Sequence, residues 1–274
     1  MVQTPNLIGK TIAITRALNQ AQETAKMIEE LGGKAYIIPA IEFKMPDDLT
    51  PVRTFIEEIE AKKASYVIFM SSNAVEFLFK EAAILNLSKK LEDGLNKATI
   101  IAIGPKTGET LKKYGIKLDF LPREYSSEGI VETIQKMGLS NEIIYIPRVK
   151  NAGPTLREKL EALKLKVQEI PVYEQILPKD GDLAEQFVND LASGSIHAII
   201  FGSAQSVRNL KKILENFLPT NRIKLFMEKV TIVAIGPETA KAIKEVGLRV
   251  DVIPKSYTFN AAIEALIDYW KQDH

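Results

Sequence analysis

Small polar residues stand directly behind the short apolar runs of this chain, and that is where its chemistry is to be sought. The positions are Thr15 and Arg16, Ser71 to Asn73, Gly104 to Thr107, Ser126 and Ser127, Arg148 to Asn151, Ser203 to Ser206, Gly236 to Thr239, and Tyr257 to Asn260. If each apolar run is a strand and the next segment a helix, these residues lie beside free backbone N–H groups at the positive end of a helix dipole. Such a lining suits carboxylates or phosphates. Each residue taken singly has an ordinary use too, since Ser, Thr and Asn are common N-caps and Gly-Pro is common turn chemistry.

Other chemistries are narrowed by what the chain contains. It has 274 residues and no cysteine, which excludes disulfides, thiolate metal sites and cysteine nucleophiles. The two histidines, His197 at a strand start and His274 at the last position, read as structural and make a poor metal site. No GxGxxG follows a strand, GPKTG has the wrong spacing for a dinucleotide fingerprint, and no GxxxxGK[ST] is present. A net charge of +1 argues against a broad nucleic-acid surface. The opening MVQTPNLIGK lacks the apolar core of a signal peptide, and no apolar run reaches membrane-spanning length, so a cytoplasmic location is expected. Function must then rest on binding, positioning and one weak acid.

A repeat isolates that acid. IAIGPKTGETLKKYGIKLDFLP, from Ile101, and VAIGPETAKAIKEVGLRVDVIP, from Val233, share nine of 22 positions at an offset of 132 residues. The same register lays SYVIFMSSNAVEFL (from Ser65) on HAIIFGSAQSVRNL (from His197), Arg16 on Arg148, and IPAIE on IPVYE. Two copies should agree wherever only the fold is at stake. They differ where Tyr173 replaces Ile41, at a Pro-marked crossing. A phenol there can donate a hydrogen bond at neutral pH, or it can simply pack.

Positioning these residues requires alternating strands and helices. TIAIT precedes QAQETAKMIEELGG, whose Ala25, Ile28 and Leu31 recur at helical spacing. The pattern continues through strands at YVIFMSS, TIIAIG, LDFLP, EIIYIPR, KVQEIPVYEQ, HAIIFGS, TIVAIG and VDVIP. Helices are expected around 52–60, from Asn73, after Pro105, over SSEGIVETIQKMG, and near 154–163, 183–191 and 260–270. Residues to Asn96 read as a variable stretch, and Pro39, Pro46 and Pro51 mark a linker. Nearly unbroken apolar strands between amphipathic helices imply parallel sheets covered on both faces, with ligands beyond the strand carboxyl ends. Two domains are expected. Taken alone, the repeat fits a sequential split near Ser140 and an interleaved pair equally well.

The IGP strands with Thr three residues after the Gly, the paired FxSxxxV strands, the opening TR and the VYE crossing resemble the uroporphyrinogen-III synthase family over about Thr11 to Ala265. The resemblance implies two similar α/β domains, each a parallel five-stranded flavodoxin-like sheet flanked by helices. It places residues 1–40 and 174–274 in one and 41–173 in the other, with hinge crossings near 39–46 and 171–178 and a cleft between. It implies cofactor-free, metal-free cyclisation of hydroxymethylbilane to uroporphyrinogen III, with ring D inverted and water lost through a spirocyclic pyrrolenine. Tyr173 would be the donor to the departing hydroxyl. Contacts to substrate would come from Arg16, Ser71, Ser72, Gly104, Thr107, Ser126, Ser127, Arg148, Lys150, Ser203, Gln205, Gly236 and Thr239; many relatives carry Thr where this chain has Met70. The implied protein is a monomer with no nucleic-acid or membrane partner, and a transient contact with the preceding pathway enzyme is one option. The rival reading is a non-catalytic, hinged binder of a small polyanion.

Overall fold

The computed structural model describes residues 6–61 and 66–272; His274 and the first five residues of the opening segment lie outside these. In chain order the elements begin with β1 (Thr11–Ile14), α1 (Leu18–Glu30), β2 (Lys34–Ile37), β3 (Glu42–Lys44) and α2 (Thr50–Glu60). Next come β4 (Tyr66–Phe69), α3 (Ser72–Ile84), α4 (Ser88–Leu95), β5 (Thr99–Ala102), α5 (Pro105–Lys113) and α6 (Ser127–Met137). Then follow β6 (Ile143–Val149), α7 (Thr155–Ala162), β7 (Lys166–Ile176), α8 (Gly181–Ser193), β8 (Ala198–Phe201) and α9 (Ala204–Glu215). The chain closes with α10 (Thr220–Met227), β9 (Thr231–Ala234), α11 (Pro237–Glu245) and α12 (Phe259–Gln272).

The chain forms two compact units: unit 1 is Met1–Glu42 with Ile176–His274, and unit 2 is Phe43–Gln175. These divisions fall two residues beyond those implied by the family resemblance. Unit 1 contains the sheet β2-β1-β8-β9, and unit 2 the sheet β7-β6-β4-β5 with β3 outside β7. In each, β-strand pairs join in parallel, β1 with β2 and β8, and β6 with β7 and β4. The 132-residue offset carries β1 onto β6, β2 onto β7, β4 onto β8 and β5 onto β9. The two sheets therefore have the same order, and each is assembled from one piece of either repeat.

One expectation is corrected. LDFLP and VDVIP do not form strands but single bridges, Phe120 to Ile101 and Val252 to Val233, so the described residues of unit 1 form a sheet of four strands rather than five. Pro122 and Pro254 follow within two residues and remove the donors a longer ladder needs. The strand expected at KVQEIPVYEQ is present, with β7 running through Pro171 to Ile176. Pairing with β6 survives because its register slips between Arg148 and Val149, immediately after Arg148 meets Pro171. A bulge accommodates a residue that cannot donate.

Strand periodicity builds both cores. In unit 2, Val67, Phe69, Ile100, Ala102 and Tyr145 pack on one face with α2 to α5, while Ile68, Ile101, Ile144 and Ile146 pack on the other with α6 and α7. Unit 1 divides in the same way: Ala13, Ile199, Phe201 and Ile232 face α8 to α11, and Ile12, Ile14, Ile200 and Val233 face α1 and α12. Burial on both faces explains why these strands read as continuous apolar runs rather than alternating ones. Helices α4 and α10 lie in stretches with little periodicity, since each is two turns long and anchored mainly by Leu91 and Leu95, or by Ile223 and Met227.

Candidate functional site

In unit 2 the expected residues gather along the carboxyl edge of one sheet. Ser71 ends the segment after β4 and caps α3, its Oγ accepting from the Ala74 N–H at 3.1 Å. The same Oγ lies 3.3 Å from the Tyr173 hydroxyl, on β7. Tyr173 is 6% exposed and sits between Phe77, stacked at 5.4 Å, and Phe43, edge-on at 5.6 Å. Burial raises its pKa above the usual phenol value, while the Ser71 hydrogen bond and the nearby Arg148 charge pull the other way. The group is thus a protonated phenol at neutral pH, held by two rings and a hydroxyl.

Arg148, near the end of β6, donates through Nη1 to Glu169, and its Nε is buried with no hydrogen-bond partner. Lys150 is exposed; its ammonium is 2.6 Å from Glu174, and its N–H donates to the Tyr173 carbonyl at 2.7 Å. Gly104 and Ser126 are the N-caps of α5 and α6, with the Ser126 Oγ accepting from Gly129 N–H. Ser72 and Ser127 are the first residues of α3 and α6. Thr107 stands in the first turn of α5 and is only 4% exposed. Extended backbone at Gly104, with the Tyr125 ring 3.5 Å from where a Cβ would stand, leaves the α5 N-terminus bordered by an aromatic face.

Unit 1 repeats this edge without a tyrosine in the matching crossing position, which is Ile41. Arg16 follows β1, lies 4.3 Å over the Phe259 ring and donates to Gln20 at 3.3 Å. Its pKa is lowered mainly by burial. Ser203 caps α9 in a reciprocal capping box with Ser206. Gln205 donates to Asn209, which in turn donates to the Ala40 carbonyl, tying α9 to the end of the β2 segment. Gly236 caps α11, and Thr239 is 4% exposed, as Thr107 is. Met70, which stands where many relatives of the resembled family carry Thr, matches Gly202; a Cβ on Gly202 would lie 2.7 Å from Phe259. Phe259 therefore reaches Arg16 only because residue 202 has no side chain.

Direct contact joins Tyr173 with Ser71, and Arg148 acts on Tyr173 through charge. Lys150 also donates its backbone N–H to the Tyr173 carbonyl, and the other expected residues stand at the strand ends. Sequence reasoning missed Tyr125, although Tyr257 lies at its repeat position and covers Gly236 in the same way. It also missed Phe43, Phe77 and Glu169, which hold Tyr173 and Arg148; their signal is spatial and only the fold supplies it. His197 is structural in position: its Nδ1 accepts from the Thr11 N–H at 3.0 Å. Among the described residues no group of three or more His, Asp or Glu side chains could hold a metal, and no helix is long and apolar enough to cross a membrane.

A family model described as Uroporphyrinogen-III synthase HemD matches residues 22–264. The chain belongs to the uroporphyrinogen-III synthase family. A Methanothermobacter thermautotrophicus protein provisionally named uroporphyrinogen-III synthase is 30% identical, over 93% of this chain and 96% of its own. The uroporphyrinogen-III synthase of Synechococcus elongatus is 28% identical over 97% of both. The fold is shared with the uroporphyrinogen-III synthetase structure from Helicobacter pylori, with a TM-score of 0.62 at 21% identity over 94% of this chain and 99% of that one. The chain is thus an enzyme of the uroporphyrinogen-III synthase type, from a family of porphyrin biosynthesis that acts on a small tetrapyrrole.

Proposed function

We propose that the protein closes hydroxymethylbilane to uroporphyrinogen III, inverting ring D and releasing water through a spirocyclic pyrrolenine. The observation that carries this reading is the buried Tyr173 hydroxyl beside Ser71 and Arg148 at the carboxyl edge of the unit 2 sheet. In the reaction the terminal C–O bond breaks, pyrrole nitrogen electrons stabilise the carbon left behind, and the departing hydroxide must take a proton. A phenol kept protonated by burial can give it, with Ser71 and Arg148 steadying the phenolate. The proton lost from ring D on final aromatisation restores the phenol, so the net change is loss of one water. No nucleophilic side chain is needed, in keeping with a chain that lacks cysteine.

The substrate carries eight carboxylates, for which helix N-termini supply N–H donors without raising net charge. In unit 2 the proposed contacts are Ser71, Ser72, Gly104, Thr107, Ser126, Ser127, Arg148 and Lys150. In unit 1 they are Arg16, Ser203, Gln205, Gly236 and Thr239. The cations, hydroxyls and backbone N–H groups bind, with Thr107 and Thr239 contributing from nearly enclosed positions in the first turns of α5 and α11. Each sheet order, followed by its terminal bridge, supports a flavodoxin-like reading of both units. Catalysis is then chiefly conformational: a reactive chain is held in the geometry that leads to inversion. Supplying hydroxymethylbilane and identifying the product tests this directly. Uroporphyrinogen III is expected; isomer I alone, at the uncatalysed rate, would support a non-catalytic anion binder instead.

A further inference from the structure

The two units hold their matched arginines in different ways. In unit 2, Arg148 is paired with the Glu169 carboxylate, which neutralises it. In unit 1 the position of Glu169 is taken by Ile37, and Arg16 forms no ion pair among the described residues; Glu23 acts on it through charge from beyond salt-bridge distance. Its guanidinium lies instead over Phe259, 4.3 Å from the ring centre. Phe259 is itself well anchored. It opens α12, whose start is capped by the Thr258 hydroxyl accepting from the Ala261 N–H at 3.2 Å, and it packs on the core of Ile12, Ile14 and Ile263.

The internal repeat shows that this arrangement depends on several positions at once. Ile37 stands for Glu169, Phe259 for Ser127 and Gly202 for Met70. Met70 packs on the core face of unit 2 that matches the one under Phe259, whereas a Cβ on Gly202 would lie 2.7 Å from the Phe259 ring and 3.6 Å from the Arg16 Cγ. One change removes the carboxylate, one supplies the ring, and one makes room for it. A guanidinium stacked on a ring is held by its face, and its N–H donors point outward round its edge. A carboxylate pair engages those same donors, so Arg148 uses them within the fold, while Arg16 gives one to Gln20 at 3.3 Å. The ring thus orders the Arg16 charge without neutralising it, which suits a fork for a carboxylate brought by a ligand.

We infer that Phe259 is a positioning residue for substrate: it holds the Arg16 guanidinium flat and unpaired to receive a carboxylate of the bilane, while Arg148 stays engaged by Glu169. The inference rests on the proposed function for the identity of that carboxylate. The test uses the full chain, titrated with uroporphyrin III, a stable tetrapyrrole polycarboxylate whose own fluorescence reports binding, and followed by steady-state kinetics with hydroxymethylbilane. Phe259→Leu keeps an apolar side chain but removes the ring face. It should weaken uroporphyrin III about fivefold, raise KM to the same extent and leave kcat near wild type. Phe259→Tyr and Phe259→Trp, which keep a ring face, should retain wild-type affinity and KM, and Gly202→Ala should behave like Phe259→Leu. In an Arg16→Gln background, Phe259→Leu should have no further effect. Wild-type affinity and KM in Phe259→Leu, an equal loss in Phe259→Tyr, a loss that adds to that of Arg16→Gln, or failure of the wild type to bind uroporphyrin III would each overturn the inference. A wild type that forms isomer I alone would instead remove the proposed reaction, and the titration would still decide the role of Phe259. Should Phe259→Leu not fold, Gly202→Ala against Phe259→Tyr decides.

Discussion

At the scale of single residues, Tyr173 joins two requirements that usually conflict. A proton donor needs access to its acceptor, yet burial is what keeps a phenol protonated. Its neighbours meet both needs by packing the ring faces and leaving the hydroxyl with Ser71. Tyr173→Phe should lower kcat about 100-fold, the lower end of what general acid catalysis contributes, while thermal unfolding stays close to wild type; unchanged turnover would remove the residue from its role. The donor form is lost only when the phenol ionises, and burial holds that transition above the ordinary tyrosine range. Turnover should accordingly show no loss attributable to Tyr173 between pH 6 and 9, which a pH profile of wild type against Tyr173→Phe checks. Ser71→Ala removes a cap as well as a hydroxyl partner, so it should cost about 1 kcal/mol of stability in addition to activity.

At the scale of elements, α3 carries a group that its fold does not welcome. Glu81 is fully buried, neither carboxylate oxygen has a hydrogen-bond partner, and burial pushes its pKa up to about 8. The folded group is neutral at pH 7, whereas in the unfolded chain it ionises near pH 4.3. The penalty is therefore absent below the unfolded value, grows as pH rises toward the folded one, and reaches roughly 3 kcal/mol at pH 7. Glu81→Ile, which installs the residue of the matching position Ile213, should raise the melting temperature at pH 8 and flatten its decline between pH 5 and 8. Parallel pH curves for the two proteins would contradict this account. In α6 the constraint is steric: a Cβ on Gly129 would lie 2.0 Å from the Glu124 carbonyl oxygen. Gly129→Ala should destabilise by about 2 kcal/mol through forced backbone movement, measured by urea unfolding, although unit 1 accommodates Ala261 at the matching place.

At the scale of the molecule, the two repeats are exchanged between the units: β1 and β2 of one copy complete the sheet of β8 and β9 of the other. Unit 2 is one continuous stretch with its own two-faced core, as an independently folding domain requires. The excised segment 43–175 should unfold cooperatively on heating, while the repeat-based fragment 1–140, which splits both sheets, should not. Cooperative folding of the second fragment alone would refute the interleaved arrangement as the folding unit.

Local information reached a long way in this chain. Apolar β-branched runs, helical spacing, Gly and Pro punctuation and the 132-residue repeat determined the α/β class, most elements and the strand ends where the candidate site lies, because each is encoded within about a dozen neighbouring residues. Short elements such as α4, α10 and β3 escaped, since two turns or three residues carry too little periodicity. LDFLP and VDVIP form single bridges rather than strands, because apolar character says nothing about whether a ladder partner is within reach. Only tertiary structure decided which repeat pieces share a sheet, that Phe43, Phe77, Ser71 and Arg148 surround Tyr173, and that Glu81 is buried without a partner. Those facts depend on contacts between residues far apart in sequence, and such contacts exist only after the chain has closed.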